Sequence, residues 1–371
     1  MFFARLKMRP TVELLAAYFT EAYGADPGSL SVEPLERGSH GVGYRAAFTE
    51  HGHNRTLIVK SLDGSGLGHD YSSDRAAVLL LARDTYGRLP DHVKAVDVLA
   101  RSRGDDVFSI DGGEEYYLVM EEARGKSYFD GLRKMAGRAE LESDEKATVI
   151  RLARYLAGIH SEKKDAPSLY LRKVRDTIGH GECLMGVLDT YGPSAGFTNP
   201  AEMTCIEKAC IEWRARLKML TGRLSVTHGD FHPGNIIISQ DGSFTLLDRS
   251  RGEYGEPADD LTALAINFIM LSFAESGRMA GAYLQAAVLF FEEYITASGD
   301  EEVMSVCAPF FAFRGVVVAN PLFYPDLDDA VRNKIFGFIH GVLKADTFST
   351  DKINEYMDTG SDYRKLFFNK V

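Results

Sequence analysis

Positive charge and paired cysteine are what this sequence has least of. It carries 42 Lys and Arg against 53 Asp and Glu, a formal net charge of −11. Binding to a nucleic-acid backbone needs clustered Lys and Arg, so that class of partner is excluded. An acidic balance tolerates, and can attract, a cationic small molecule. The four cysteines, Cys183, Cys205, Cys210 and Cys307, form no CxxC pair and no Cys/His cluster at zinc spacing. They read as reduced thiols in helix cores. No apolar run approaches the roughly 18–20 residues needed to span a bilayer. The opening, MFFARLKMRP, is too short and too charged for a secretory signal, and the cytoplasm is the expected compartment.

What is present is enough chain for two lobes, each with a core: 371 residues with 45% hydrophobic content. The first ~120 residues mix strands with one or two helices. Apolar spacing predicts a helix over Thr11–Tyr23, strands over Leu30–Leu35, Tyr44–Glu50 and Arg55–Lys60, a helix over Asp74–Tyr86, and strand pieces at Val93–Ser102, Val107–Ile110 and Glu115–Glu121. His51-Gly52-His53-Asn54 reads as a hairpin turn. From Ser127 onward the patterns are helical: Glu145–His160, Cys205–Leu220 with the sole tryptophan Trp213, Pro257–Phe273, Tyr283–Tyr294 and Val331–Leu343. Pro257–Phe273 is apolar nearly all round and belongs in the middle of a lobe. The predicted division is an N-terminal lobe over residues 1–120, a hinge at 121–125, and a large, mostly helical lobe over 126–371.

One stretch stands out from this background, VTHGDFHPGNIIISQDGSFTLLDR at Val226–Arg249. It sets an acid, Asp230, five residues before a carboxamide, Asn235. A hairpin follows, Ile236–Ser239 and Phe244–Leu247 about a turn at Gln240–Ser243, and delivers Asp248 at its end. Two carboxylates and an amide at one mouth suit metal-dependent phosphoryl transfer, where one acid orients a hydroxyl and the others hold Mg²⁺. Kinase catalytic loops show this same Asp-to-Asn spacing. His228 reads as a neutral brace of the loop.

Three further segments gain meaning only from their order. Arg37–Gly43 holds Gly38, Ser39, His40, Gly41 and Gly43; its backbone could approach phosphate oxygens, or it is an ordinary hairpin turn. Lys60 closes the run Leu57-Ile58-Val59 and either reaches nucleotide phosphates or is a solvated strand end. YLVMEEARG at Tyr117–Gly125 either offers backbone groups and Met120 to an adenine or is a strand with a loop after it. The glycine loop fits neither a P-loop nor a dinucleotide fold.

Together these residues resemble the aminoglycoside phosphotransferase and choline kinase family, the small-molecule branch of the protein-kinase-like fold. The matching motifs are His228-Gly229-Asp230 with Asn235, then Asp248, then Gly255-Glu256-Pro257-Ala258-Asp259-Asp260-Leu261, within a similarity over about residues 30–300. The resemblance implies an α+β, bilobal fold with a β-rich N-lobe and a mostly helical C-lobe. It implies ATP and Mg²⁺ as cofactors, with Asp230 acting on the acceptor hydroxyl and Asn235 and Asp248 as metal ligands. It implies that Lys60 and residues 38–43 hold phosphates, that the Glu121 carbonyl and Ala123 amide meet adenine beside Met120, and that Asp260 braces the catalytic loop. Two departures are visible. The run after Lys60 offers Asp74 where the family has a glutamate, and Arg249 follows the metal-binding acid where an aromatic is usual; Arg249 or Arg251 either adds positive charge near the phosphates or pairs with Glu253 or Glu256, pairing being the expectation.

The acceptor side is less defined. Glu253, Glu256, Asp259, Asp326, Asp328 and Asp329 could line a carboxylate-rich cleft for an amine, or be solvated surface. Arg314 enters an apolar stretch and wants a partner among those acids or a substrate oxygen. Asn320–Pro325 supplies aromatic surface for a sugar ring. The expected activity is ATP-dependent phosphorylation of an amino sugar, sugar or amino alcohol, the alternative being a nucleotide-binding pseudokinase.

Overall fold

The computed structural model describes residues 12–26, 28–37, 41–64, 69, 72–101, 115–192, 196–249 and 251–368. Gly38, Ser39, His40 and the strand piece expected at Val107–Ile110 lie outside the described residues. The chain forms two compact units. The first takes residues up to 64, then 72–87 and 93–123; the second takes residue 69, residues 88–92 and everything from Arg124 onward.

The first unit is an antiparallel five-stranded sheet with helices α1 (Val12–Tyr23) and α2 (Ser72–Thr85). Its strands are β1 (Ser31–Arg37), β2 (Gly41–Glu50), β3 (His53–Leu62), β4 (Ala95–Arg101) and β5 (Glu115–Glu121), in the order β1-β2-β3-β5-β4. The β2–β3 hairpin turns on two residues, His51 and Gly52, with φ of 49° and 79°. Positive φ at both centres matches the twist of the flanking strands, so β3 resumes at His53, two residues earlier than the sequence pattern predicts. One sheet face carries Tyr44, Ala46, Phe48, Leu57, Val59, Tyr117 and Val119, and α1 covers it with Leu15 and Phe19. The Phe19 and Phe48 rings lie 4.7 Å apart.

The second unit begins with β6 (Lys126–Ser127) and α3 (Tyr128–Arg133), then α4 (Ser143–His160), α5 (Pro167–Gly179), α6 (Leu184–Leu188) and α7 (Pro200–Leu217). Asn199 caps α7 by accepting from the Glu202 amide at 3.0 Å, with Pro200 at the first turn. That cap starts the helix five residues before its apolar period does. Strands β7 (Ser225–Val226), β8 (Ile236–Ile238), β9 (Phe244–Leu246) and β10 (Tyr254–Gly255) follow, then α8 (Pro257–Ser276), α9 (Gly281–Ser298), α10 (Cys307–Val318), α11 (Asp329–Lys344) and α12 (Ile353–Phe368). Helix α8 is buried along almost its whole length and forms the axis of the core, against α4, α9, α10 and α11. Helices α11 and α12 touch through glycine: a Cβ on Gly360 would overlap the Gly337 carbonyl and the Gly341 amide. Among the described residues no helix is long and apolar enough to cross a membrane.

Candidate active site

Two short ladders frame the Asp230 loop. Strand β7 pairs with β10, setting Val226 opposite Tyr254, and the Thr227 amide donates to the Glu253 carbonyl at 2.9 Å. The chain then bends at Gly229, whose φ of +85° is open to glycine at no steric cost. Asp260, fully buried in the first turn of α8, accepts from the His228 and Gly229 amides at 2.7 Å each and faces His160 Nε2 at 3.1 Å. Asp260 braces the loop. His228 is fully buried; its Nδ1 accepts from the Asp230 amide at 3.2 Å, and burial lowers its pKa, so it stays neutral.

Asn235 ends a short 3₁₀ turn, Pro233–Asn235, and its Nδ2 donates to the Asp230 carbonyl at 3.1 Å and to Asp230 Oδ2 at 3.3 Å. Strand β8 then pairs with β9, Ile236 opposite Leu246, and the Leu247 amide donates to the Asn235 carbonyl at 2.9 Å. That last bond ties the residue before Asp248 to Asn235. Asp248 itself has φ of 63°, a strained conformation for a non-glycine residue of the kind that collects at functional sites. Its charge acts on both His228 and His232.

Arg314, from α10, is the residue whose role the sequence left open. It donates through Nη1 to Asp230 Oδ1, through Nη2 to the Gly229 carbonyl at 2.8 Å, and through Nε and Nη2 to Asp259 Oδ1 at 3.0 and 2.6 Å. Arg251 reaches Asp230 Oδ1 at 3.7 Å and donates to the Gly229 carbonyl at 3.2 Å. The Phe313 ring supports both guanidiniums, at 4.6 Å from Arg314 and 5.0 Å from Arg251. Burial pushes the Asp230 carboxyl up, but Arg251 and Arg314 outweigh it and hold the group far below the ordinary carboxylate range.

The expected pairing of Arg249 and Arg251 with the side chains of Glu253 or Glu256 takes another form. Arg249, fully buried, donates to the Thr227 and Glu253 backbone carbonyls at 2.9 and 2.8 Å. The Glu253 carboxylate meets Arg88 at 2.8 Å, and Glu256 meets Arg223 at 2.8 Å. Asp259 is taken by Arg314, and Asp329 lies 3.4 Å from Arg332. Most of the acids expected to line an open carboxylate cleft are therefore already paired with arginine.

In the first unit the ladder sets Lys60 between Gly43 on β2 and Leu118 on β5, and Ile58 opposite Met120. Residues opposite one another, and those two apart along a strand, share a face. Gly43, Lys60 and Met120 thus lie together on the sheet face away from α1. At Gly41 a Cβ would run into the Ser61 carbonyl, so only glycine fits the strand there. The Glu121 amide donates to the Lys94 carbonyl at 2.9 Å, and the first unit ends at Ala123.

The donor chemistry suits Mg²⁺. With Asn235 Nδ2 spent on Asp230, its carbonyl oxygen accepts no hydrogen bond among the described residues, and it and the Asp248 carboxylate are hard oxygen donors of the kind Mg²⁺ takes. No cluster of three His, Cys, Asp or Glu among the described residues could form a metal cage. A Mg²⁺ site built on one or two protein oxygens plus phosphate oxygens needs none.

The profile of the phosphotransferase enzyme family matches residues 39–294, more than half of the chain. The chain belongs to that family. As a phosphotransferase it has solved relatives of the same α+β, protein-kinase-like fold. An ethanolamine kinase of Plasmodium vivax is 12% identical, with a TM-score of 0.52 over 100% of this chain and 94% of that one. A choline kinase of Cryptosporidium parvum is 12% identical, with a TM-score of 0.46 over 96% and 95%. An aminoglycoside phosphotransferase of Streptomyces rimosus is 15% identical, with a TM-score of 0.44 over 80% and 98%. At these identities the likeness speaks for the fold, and only the first reaches a score that carries it. No curated protein sequence matches that of this phosphotransferase.

Proposed function

We propose that this phosphotransferase moves the γ-phosphoryl group of ATP to a hydroxyl of a small molecule in the cytoplasm. The reading rests on one observation above the others. The backbone of the Asp230 loop is fixed by Asp260, and the Asp230 carboxylate is fixed by Asn235. Positioning of this kind is what phosphoryl transfer asks of a protein, because its loose transition state needs alignment and charge stabilisation more than covalent help.

In this reading the first unit is the nucleotide lobe. Lys60 and Gly38, Ser39, His40, Gly41 and Gly43 hold phosphates, while Met120, the Glu121 carbonyl and the Ala123 amide meet adenine. Asn235 and Asp248 hold Mg²⁺, which when bound neutralises charge on the phosphates. Asp230 orients the acceptor hydroxyl and takes its proton as the new P–O bond forms and ADP leaves. The two arginines make Asp230 a weak base, so the proton moves late, once the hydroxyl oxygen is already bonding to phosphorus. The acceptor class is a sugar, amino sugar or amino alcohol.

ATP consumption with Mg²⁺ across a panel of such acceptors tests the proposal. Asp230→Asn should abolish transfer and leave nucleotide affinity within about twofold, since the loss is of a group acting on the acceptor. Near-full kcat in Asp230→Asn would remove Asp230 from its role. ATP binding with no turnover on any acceptor would leave a nucleotide-binding module in place of an enzyme.

A further inference from the structure

The first turn of α8 carries two carboxylates on consecutive residues, Asp259 and Asp260, and Gly229 stands between their partners. On one side Asp260 accepts from the His228 and Gly229 amides at 2.7 Å each. On the other, Arg314 Nη2 donates to the Gly229 carbonyl at 2.8 Å, and Asp259 Oδ1 holds that guanidinium through Nε and Nη2 at 3.0 and 2.6 Å. Consecutive residues of a helix point about 100° apart, so one turn serves the loop in two ways. Asp260 fixes backbone N–H groups directly. Asp259 reaches the loop only through an arginine from another helix.

Arg314 extends this hold to the acid itself. Its Nη1 donates to Asp230 Oδ1 while Nη2 holds the carbonyl of the residue before it. The other carboxylate oxygen, Oδ2, accepts from Asn235 Nδ2 at 3.3 Å. Arg251 stands 3.7 Å from Oδ1, too far to orient it by a hydrogen bond. Arg314 is buried and is the one charged residue of α10, so nothing on its own helix steers it by charge. The Phe313 ring supports one face at 4.6 Å. Among the described residues Nε has Asp259 as its one partner. Burial raises the Asp259 pKa, while Arg314 and Arg251 lower it; two N–H donors on one oxygen are the geometry of an ionised acceptor.

We propose that Asp259 is a positioning residue for phosphoryl transfer: it sets the guanidinium plane of Arg314, and through it the rotation of the Asp230 carboxylate that meets the acceptor hydroxyl. This rests on the kinase reading above and deepens it. A planar fork bonded at Nε, Nη1 and Nη2 has one orientation that satisfies all three. Without Asp259 the fork keeps its two loop contacts but loses the edge that fixes its plane. A misplacement of about 1 Å at a reacting group costs on the order of 10²-fold in rate.

The test is a double-variant cycle on Asp259→Asn, Arg314→Lys and the pair, in full-length enzyme with Mg·ATP. Water is the acceptor in one arm; glucose, glucosamine, choline and ethanolamine are the acceptors in the other. Rates are read below each variant's thermal midpoint, so that loss of fold does not mimic loss of rate. Each single variant should lower kcat for ATP consumption roughly 10–10²-fold and leave KM for ATP within about twofold. The pair should lose no more than the worse single variant, because the two side chains act as one unit. Asp259→Glu keeps the ion pair, and with it the fold, but moves the oxygens by one methylene; it should still lose kcat about fivefold. Additive losses in the pair, a raised KM for ATP with kcat untouched, or full kcat in Asp259→Glu overturns the inference and leaves the kinase reading standing. A parent enzyme that binds ATP but consumes it with neither water nor any acceptor overturns both.

Discussion

Exchanging Asp260 for asparagine cuts the joint on which the Asp230 loop hangs. The carboxylate has no exposure to solvent and accepts three donors: the His228 and Gly229 amides at 2.7 Å and His160 Nε2 at 3.1 Å. Asparagine keeps the shape but only one acceptor oxygen; its NH₂ would face a backbone N–H or the imidazole. A hydrogen bond to a charged group contributes about 1.5–3 kcal/mol, and a buried donor left without a partner costs about 1–3 kcal/mol. Asp260→Asn should therefore cost about 3–5 kcal/mol, the range found when one partner of a buried charged pair is removed. The loss is local before it is global, so hydrogen exchange reads it best. Exchange at His228 and Gly229 should speed up by roughly 10²–10⁴-fold at one decade per 1.4 kcal/mol, with turnover falling as Asp230 loses its fixed position. The α11–α12 segment serves as the internal control. Exchange at those two amides within threefold of the parent would refute the claim that Asp260 holds the loop.

Three other perturbations probe separate parts of the molecule. Asp248→Ala should weaken Mg²⁺-dependent ATP binding at least tenfold while leaving metal-free nucleotide binding alone; unchanged Mg·ATP affinity in a titration would count against its metal role. Glu202 is fully buried and meets His340 Nε2 at 3.0 Å and Arg364 Nη2 at 3.1 Å. Burial raises its pKa, yet those bonds outweigh it and leave the group below the ordinary 4.5. A lowered folded pKa means that its stabilisation is present above pH 4.5 and is lost as pH falls through the folded value. The urea midpoint should thus drop more steeply below pH 4.5 in the parent than in Glu202→Gln, which should itself lose about 3–5 kcal/mol at pH 7; parallel curves would contradict this. Gly360→Ala should cost about 1–3 kcal/mol by forcing α12 off α11, and an unshifted denaturation midpoint would refute the close approach at Gly337 and Gly341.

Legibility in the sequence followed how local each constraint is. The hairpin between Asn235 and Asp248 could be read because a 3₁₀ step and a tight turn fix its residue spacings within one stretch. Strand β5 was readable to the residue, since its ends coincide with the ends of an apolar run. Helix α10 left only a trace at Gly315–Ala319, because it is buried on nearly every side and so lacks a period to detect. Helix α12 carries a helical spacing in the sequence, with buried positions at Ile353, Tyr356, Met357, Gly360 and Arg364. The sequence points to an acid as the partner of Arg314. Asp259 was among the acids considered, but the bond to Asp230 joins residues 84 apart in the chain, and no local pattern encodes a pairing of that span. The acidic cleft failed for the same reason. Glu253 and Glu256 look available until Arg88 and Arg223 arrive from distant segments.

The Phe313 ring, wedged between two guanidiniums, has a consequence for how such an enzyme can diversify. Helix α10 supplies Phe313 and Arg314 together, so one helix carries both the ring beside the two guanidiniums and the arginine that grips Asp230. A lineage that alters this helix disturbs the Asp230 carboxylate in the same step. One that alters Phe129, Arg133 or Tyr324 does not, because none of these side chains bonds to Asp230. Substitutions should therefore accumulate at those three positions sooner than on α10.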